Sequence, residues 1–170
     1  DDKFLLILGV GRSGTSLLQS MFAAHPSVSY LPESAFLRRY VADGVLLNKY
    51  KSEGEGGVVR SLEEDLLFSR LGIDAVELVR EAVNTGELLD LALYRLMMES
   101  YNQGERSWVG DKDPRLIEFV PLVSTSFPHA KVINIIRDPR DVLLSKKKAA
   151  WSRKGHVWKH IFANRVQLKL

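Results

Sequence analysis

Residues 4–16 read Phe4-Leu5-Leu6-Ile7-Leu8-Gly9-Val10-Gly11-Arg12-Ser13-Gly14-Thr15-Ser16. The unbroken apolar run at its start predicts a short strand, buried on both faces of a parallel sheet. It ends in a Gly-rich turn, after which Thr15 to Ala24 reads as a helix, stopped at His25-Pro26. A loop between a buried strand and a helix lies beyond the strand's carboxyl end, where sheets of this kind bind ligands. Its successive backbone N–H groups and the helix dipole favour an anion. Gly11 and Gly14 are expected to adopt positive φ and to let a phosphate come close. A Gly-rich turn without a ligand is the plainer reading of the same residues.

The spacing of Gly9 and Gly14 partly matches the phosphate loop GxxxxGK[ST], but Thr15 stands where that motif has its lysine. The positive charge sits earlier, at Arg12. This arrangement suits a single terminal phosphate or phosphosulfate better than a magnesium triphosphate. A kinase or nucleotide triphosphatase therefore remains a rival reading, weakened by the missing lysine.

Outward from the loop, Val28 to Leu31 reads as a second strand and a helix is expected from about Ser34. Lys51 to Gly57 (KSEGEGG) reads as a polar, mobile loop. Three helical patterns follow. Ser61 with Glu64, and Asp74 with Glu77, have capping-box spacing, and Gly86 and Gly104 are expected stops. Residues 34–105 form a helical insert that covers a sheet edge or lines a substrate cleft. Trp108-Val109-Gly110 reads as a strand entering Asp111-Lys112-Asp113-Pro114, with a helix from about Arg115 to Phe127-Pro128. Lys131 to Ile136 (KVINII) is a clear strand. Asp138-Pro139 then opens a helix, with Asp138 as cap and Asp141 favouring its positive end. His156 to Leu170 is helix-like. Alternating strands and helices predict an α/β, three-layer P-loop-like fold in one domain, with a central parallel sheet flanked by helices.

Bulk composition is that of an ordinary globular protein: 170 residues, 45% hydrophobic, 26% charged, net charge +3. The charge is unevenly spread. From Lys146 to Leu170 lie eight of the 24 basic residues and no acid, which leaves 16 basic against 21 acidic residues elsewhere. A basic end on an acidic body either handles anions or is a solvated basic helix. The chain has no cysteine, which excludes disulfides, thiolate nucleophiles and cysteine-bound metal. No apolar run approaches the ~18 residues of a membrane span, and no signal peptide is evident. A cytoplasmic location is expected, and a segment upstream of the first strand is expected to have been removed.

A second phosphate site is suggested further along. Arg137 ends the KVINII strand, and Ser145 follows two turns into the next helix. Both can converge on one phosphate, with the guanidinium fork supplying charge-assisted hydrogen bonds. Arg137 paired with Asp141 is the competing reading. Arg140 and Lys146 to Lys148 are expected to be solvated. Glu33, after the second strand, falls near the same sheet edge, unless it only caps the following helix. Lys112 lies past another strand, unless it is a surface lysine between two acids. His25 is expected to pack or cap at its helix end. His129, His156 and His160 have no motif context, and Trp108, Trp151 and Trp158 read as core or cleft-wall residues.

The stretch GVGRSGTSLLQSMFAAHPSVSYLPES resembles the 5'-phosphosulfate loop of PAPS-dependent sulfotransferases. It is most similar to the bacterial and tyrosylprotein-sulfotransferase-like branch, where Arg12 replaces the lysine of many members. IIRDPRDVLLS resembles the family's 3'-phosphate motif. The likeness covers Phe4 to Ser34 and Ser107 to about Trp151.

What the resemblance implies is specific. The co-substrate is 3'-phosphoadenosine 5'-phosphosulfate (PAPS) and the product adenosine 3',5'-bisphosphate (PAP). Gly11, Arg12, Ser13, Gly14, Thr15 and Ser16 hold the phosphosulfate. Arg137 and Ser145 hold the 3'-phosphate. Glu33 is the catalytic base. Lys112 contacts the transferred sulfonate and bridging oxygen alongside Arg12, with Asp111 and Asp113 orienting the loop. The expected partner is a hydroxyl-bearing acceptor (carbohydrate, tyrosyl, lipid or small molecule), with no metal, nucleic acid or membrane span. Residues 34–105 shape the acceptor side. Family members continue past a basic helix into a strand and helices that complete the adenine and 3'-phosphate contacts, so the chain is expected to lack that part and to close incompletely on the co-substrate. A non-catalytic PAP-binding module is the alternative to an enzyme.

Overall fold

The computed structural model describes residues 3–102, 106–113 and 116–148. Expectations at Gly104, Arg115, Trp151 and Trp158, and for the basic segment His156–Leu170, lie outside the described residues.

The apolar run forms β1 (Phe4–Gly9), buried throughout. The loop then opens α1 (Thr15–Ala23), which leads to β2 (Val28–Tyr30). A π-helical turn (Leu37–Val41), α2 (Val45–Glu63), α3 (Leu66–Ser69), α4 (Ala75–Asn84) and α5 (Leu89–Tyr101) follow. The chain returns as β3 (Trp108–Lys112), a 3₁₀ turn (Leu116–Phe119) and α6 (Val120–Ser126), then β4 (Lys131–Ile135) and α7 (Pro139–Lys148). The strands make one all-parallel sheet in the order β2-β3-β1-β4. This is the α/β architecture that the alternating pattern predicts.

Strand alternation divides β1 between two layers. Phe4, Leu6 and Leu8 join the larger core with Val58, Leu62, Leu78, Leu93, Tyr94 and Phe127. Leu5 and Ile7 face the other way and pack with Val28, Tyr30, Leu18 and Phe22. The helices α2 to α5 therefore cover a face of the sheet rather than its edge, and α1 covers the opposite face. Phe4 meets Phe127 edge-on at 5.3 Å, and Tyr94 sits 5.7 Å from the same ring.

Several local expectations are corrected. Lys51 to Gly57 is not a loop: it lies within α2, which kinks at Gly54 (φ 67°). Burial of Leu46, Val58 and Leu62 on either side of the kink outweighs the low helix propensity of the glycines. Lys49 also pairs with Glu53 at 2.5 Å. Ser61 is not a cap, since its hydroxyl donates back to Gly57 O within α2. The cap of α3 is Asp65, which accepts from Leu67 N at 2.9 Å. Asp74 caps α4 as expected, accepting from Val76 N and Glu77 N. The helix expected from Ser34 begins only at Leu37, because Ala35 is left-handed (φ 53°).

Because all four strands run the same way, Gly9, Tyr30, Lys112 and Ile135 end along one edge. One close contact fixes this edge. A Cβ on Gly110 would overlap the ring of Tyr30, a residue packed across the sheet and 7% exposed. Tyr30 then donates its hydroxyl to Asp111 O at 2.8 Å. Gly110→Ala is expected to lower stability by about 1–3 kcal/mol through overpacking. Urea unfolding checks it: the midpoint falls while the slope is unchanged.

Candidate active site

Three segments meet at this edge. The first is the loop Val10 to Ser16. Ser13 N donates to Val10 O at 3.0 Å, closing the turn. Left-handed backbone occurs at Arg12 (φ 78°) and Gly14 (φ 101°), not at Gly11 as expected. A positive φ at a non-glycine residue is uncommon, and at Arg12 it sets the course of the loop past its side chain. Gly14 precedes α1 without a side-chain cap, and the first turn of α1 carries no acid. The opening amides of α1 are thus left for an external acceptor. Ser13 adds a buried hydroxyl with no hydrogen-bond partner among the described residues. A loop with uncapped amides, an orphan hydroxyl and an exposed arginine fits an anion such as a phosphosulfate.

The second segment is the end of β4 with α7. Arg137 Nη1 donates to Arg12 O at 3.2 Å, and Arg137 Nε lies 3.9 Å from Asp141. Arg12 Nε donates to Ser145 Oγ at 3.0 Å. Both residues of the second phosphate motif therefore reach Arg12 of the first. Asp138 caps α7, accepting from Arg140 N at 2.8 Å, and pairs with the exposed Arg140 side chain at 2.6 Å. One expectation fails here. Lys146 is not solvated but 3% exposed, and burial pulls its amine down to about 8. It lies four residues after the buried Val142, on the same face of α7, which the lysine-rich stretch alone does not reveal.

The third segment joins β2 to β3. Lys112 Nζ donates to Glu33 Oε2 at 2.5 Å and to Ser16 Oγ at 3.4 Å. The Lys112 side chain is 4% exposed and that of Glu33 44%. A buried ammonium thus joins the anion loop to a half-exposed carboxylate. The plainer readings of these residues, a helix cap and a surface lysine, do not describe this geometry. His25 ends α1 by accepting at Nδ1 from Ser27 N, as its position suggests.

Behind the pair lies a polar network around Asp111 and Asp113, whose partners Ser34, Arg38 and Tyr94 the sequence did not mark. Asp111 is 1% exposed. It accepts from Lys112 N at 2.8 Å, Ser34 Oγ at 3.1 Å and Tyr94 OH at 3.2 Å. Asp113 accepts from Arg38 Nε at 3.0 Å. Tyr94 comes from α5, where no motif marks it. The available signal was the alternation of β3, which turns Asp111 and Asp113 away from Lys112. Among the described residues, no group of three or more His, Asp or Glu side chains could hold a metal, and no helix is long and apolar enough to cross a membrane.

Burial pushes the Asp111 carboxyl up from 3.8 to about 6, and the neighbouring Asp113 charge adds to the rise. The unfolded chain releases this proton near 3.8, whereas the folded chain keeps it to about 6. The Asp111 contribution to stability is thus greatest below the lower value and is lost as pH rises through the upper one. Relative to Asp111→Asn, the wild type should lose stability across that interval, by at most about 1.4 kcal/mol per pH unit. Urea unfolding of both proteins over a pH series checks the slope.

The chain is similar to known proteins along most of its length. The pattern described as "Sulfotransferase family" matches residues 5–169. The chain is 30% identical over 142 residues to protein-tyrosine sulfotransferase 1 of Danio rerio, covering 82% of this chain and 34% of that protein. Against the Homo sapiens protein of the same name it is 29% identical, covering 82% and 32%. Protein-tyrosine sulfotransferase A of Caenorhabditis elegans is 30% identical over 139 residues, covering 81% and 31%. The chain spans about a third of the length of the curated relatives it matches. These relatives are animal proteins, so they support the tyrosylprotein side of the expected branch and not the bacterial one. With its pattern running from Leu5 through the phosphate loop, the Lys112 strand and the Arg137 motif, the chain belongs to the sulfotransferase family.

Proposed function

We propose that this chain transfers a sulfonate group from PAPS to a hydroxyl acceptor, by in-line displacement with Glu33 as base. The observation that carries this reading is Lys112, whose ammonium spans from Ser16 in the anion loop to the Glu33 carboxylate. Sulfuryl transfer needs those groups side by side: a base for the acceptor proton and a cation for the sulfonate oxygens.

PAPS would supply the sulfonate, and PAP would leave. The amides of Gly11 to Ser16, the Ser13 hydroxyl and Arg12 would hold the 5'-phosphosulfate. Arg137 and Ser145 would hold the 3'-phosphate, each giving up its present contact with Arg12. Glu33 takes the proton of the acceptor hydroxyl at a carboxylate oxygen as the new S–O bond forms and the bond to the 5'-phosphate breaks. Lys112 and Arg12 neutralise charge that develops on the sulfonate and on the departing phosphate oxygen. No metal enters this scheme. The names of the relatives favour a tyrosyl hydroxyl as acceptor, and residues 34–105 would form the acceptor side of a single domain.

Calorimetry tests the binding half. PAP should bind, and Arg137→Ala should weaken it about tenfold or more, from loss of a charge-assisted hydrogen bond. Absent binding, or binding unchanged by the substitution, contradicts the assignment. Labelled transfer from PAPS to a tyrosine-containing peptide tests the chemical half. Glu33→Gln should lower turnover by on the order of 10²-fold or more while PAP affinity holds. PAP binding with no transfer to peptide, carbohydrate or lipid hydroxyls would instead indicate a binding module.

A further inference from the structure

We propose that Asp111 is a positioning residue that holds the Glu33 loop and Lys112 in register from behind. This rests on the reading of Glu33 and Lys112 as the reacting pair.

A carboxylate at a nearly unexposed strand position is costly, because apolar residues fill such positions without desolvating a charge. Its contacts indicate what offsets the cost. Asp111 Oδ1 takes the amide of Lys112, and Oδ2 takes the hydroxyls of Ser34 and Tyr94. Lys112 follows Asp111 directly, and Ser34 follows Glu33 directly. One carboxyl group thus grips Lys112 by its own amide and Glu33 through the residue that follows it. Tyr94, itself fully buried in the larger core, ties the same oxygen to α5.

The Glu33 loop depends on this grip. The Glu33 side chain is half-exposed, and its one hydrogen-bonded side-chain partner among the described residues is Lys112. Ala35, two residues on, holds a left-handed backbone that alanine disfavours. Ser34 braces this bend, accepting from Phe36 N at 3.2 Å while donating to Asp111. Gln19 Nε2 holds the near side of the loop through Leu31 O at 2.7 Å. Asp113, just past the end of β3, takes Arg38 beyond the bend. The strand's period of two does the rest: Asp111 and Asp113 face the helical layer, while Lys112 projects towards α1 and the anion loop.

The groups facing Asp111 are Tyr94 from α5, Ser34 after β2, and Lys112 and Asp113 from its own strand, with the Tyr30 hydroxyl on its carbonyl. The clamp needs a hydrogen-bonding group at both positions rather than a charge as such. Asp111→Asn keeps an acceptor for Lys112 N, and its amide can donate to the Ser34 and Tyr94 hydroxyls after they rotate. Asp111→Ala keeps neither.

The test reads the pair directly by the ¹³C resonance of the Glu33 side-chain carboxylate, assigned with Glu33→Gln. Lys112→Met calibrates the displacement produced by losing the partner. Asp111→Ala should displace the resonance in the same direction, and Asp111→Asn should restore it. A folded Asp111→Ala protein with the resonance unmoved would overturn the proposal. If that variant does not fold, Ser34→Ala carries the same test, with the same two outcomes. In transfer assays Asp111→Ala should lower kcat by up to roughly 10²-fold, as expected for misplaced reacting groups, with PAP affinity unchanged and kcat recovered in Asp111→Asn. Equal losses of kcat in both variants would overturn it. Should the wild type transfer no sulfonate, the proposed function fails, while the Glu33 resonance still decides the role of Asp111.

Discussion

The pairing of β3 beside β1 organises the site. Ile7 stands opposite Lys112 and Leu6 opposite Asp111. In a parallel pair, opposite residues share a face, so the register delivers Lys112 to the layer of α1 and the anion loop. The same register sends Asp111 to the layer of the larger core. A slip of one residue would exchange them, burying the lysine against Tyr94 and turning the aspartate towards the phosphate loop. Gly110 and Tyr30 hold the neighbouring strand in step, because the ring occupies the space that a side chain at residue 110 would need.

On this frame the charges are arranged with a surplus of cation at the loop. Arg12 has a hydroxyl and no carboxylate as its partner among the described residues. Arg137 reaches a carbonyl of the loop and only loosely meets Asp141. Both arginines add positive charge beside the uncapped helix amides. The proposed phosphosulfate would meet this charge and also give the Ser13 hydroxyl a partner. Arg12 meets Ser145, and Arg137 meets the loop, through a single hydrogen bond each, which a phosphate oxygen would replace in the proposed binding mode.

The strand, loop and helix at residues 4–23 were legible because each rests on local chemistry: an apolar run, a Gly-rich turn and a helix stopped before proline. The end of β4 and the Asp138 cap were legible for the same reason. Residues Lys51 to Gly57 were not, because their helix depends on burial of Leu46, Val58 and Leu62 against distant elements. At Arg12 the left-handed conformation falls on a residue whose type argues against it. The burial of Lys146 is likewise decided by packing, since its neighbours in sequence are charged. Of the site, the residues in motifs came together as expected, with Lys112 and Glu33 paired. Tyr94 and Ser34 were invisible, since their roles come from tertiary contacts that no spacing encodes.

In the proposed mechanism, the buried carboxylates Asp111 and Asp113 explain how so small a loop can present Glu33 as a base. A glutamate on an exposed segment has many rotamers and a backbone free to move, and both reduce the time it spends in reacting geometry. Here the mobility is removed at the neighbours of Glu33 rather than at Glu33 itself. Ser34 is pinned to Asp111, and Arg38 is pinned to Asp113. The carboxylate of Glu33 stays half-exposed and open to an acceptor. Desolvating Asp111 costs stability, and that cost is what lets a polar anchor stand on a rigid strand behind the site. Had Glu33 been buried directly, its own carboxylate would have borne the desolvation and would have been closed to the acceptor. The fold places the cost on Asp111, next to Lys112 in the chain and one hydrogen bond from the neighbour of Glu33.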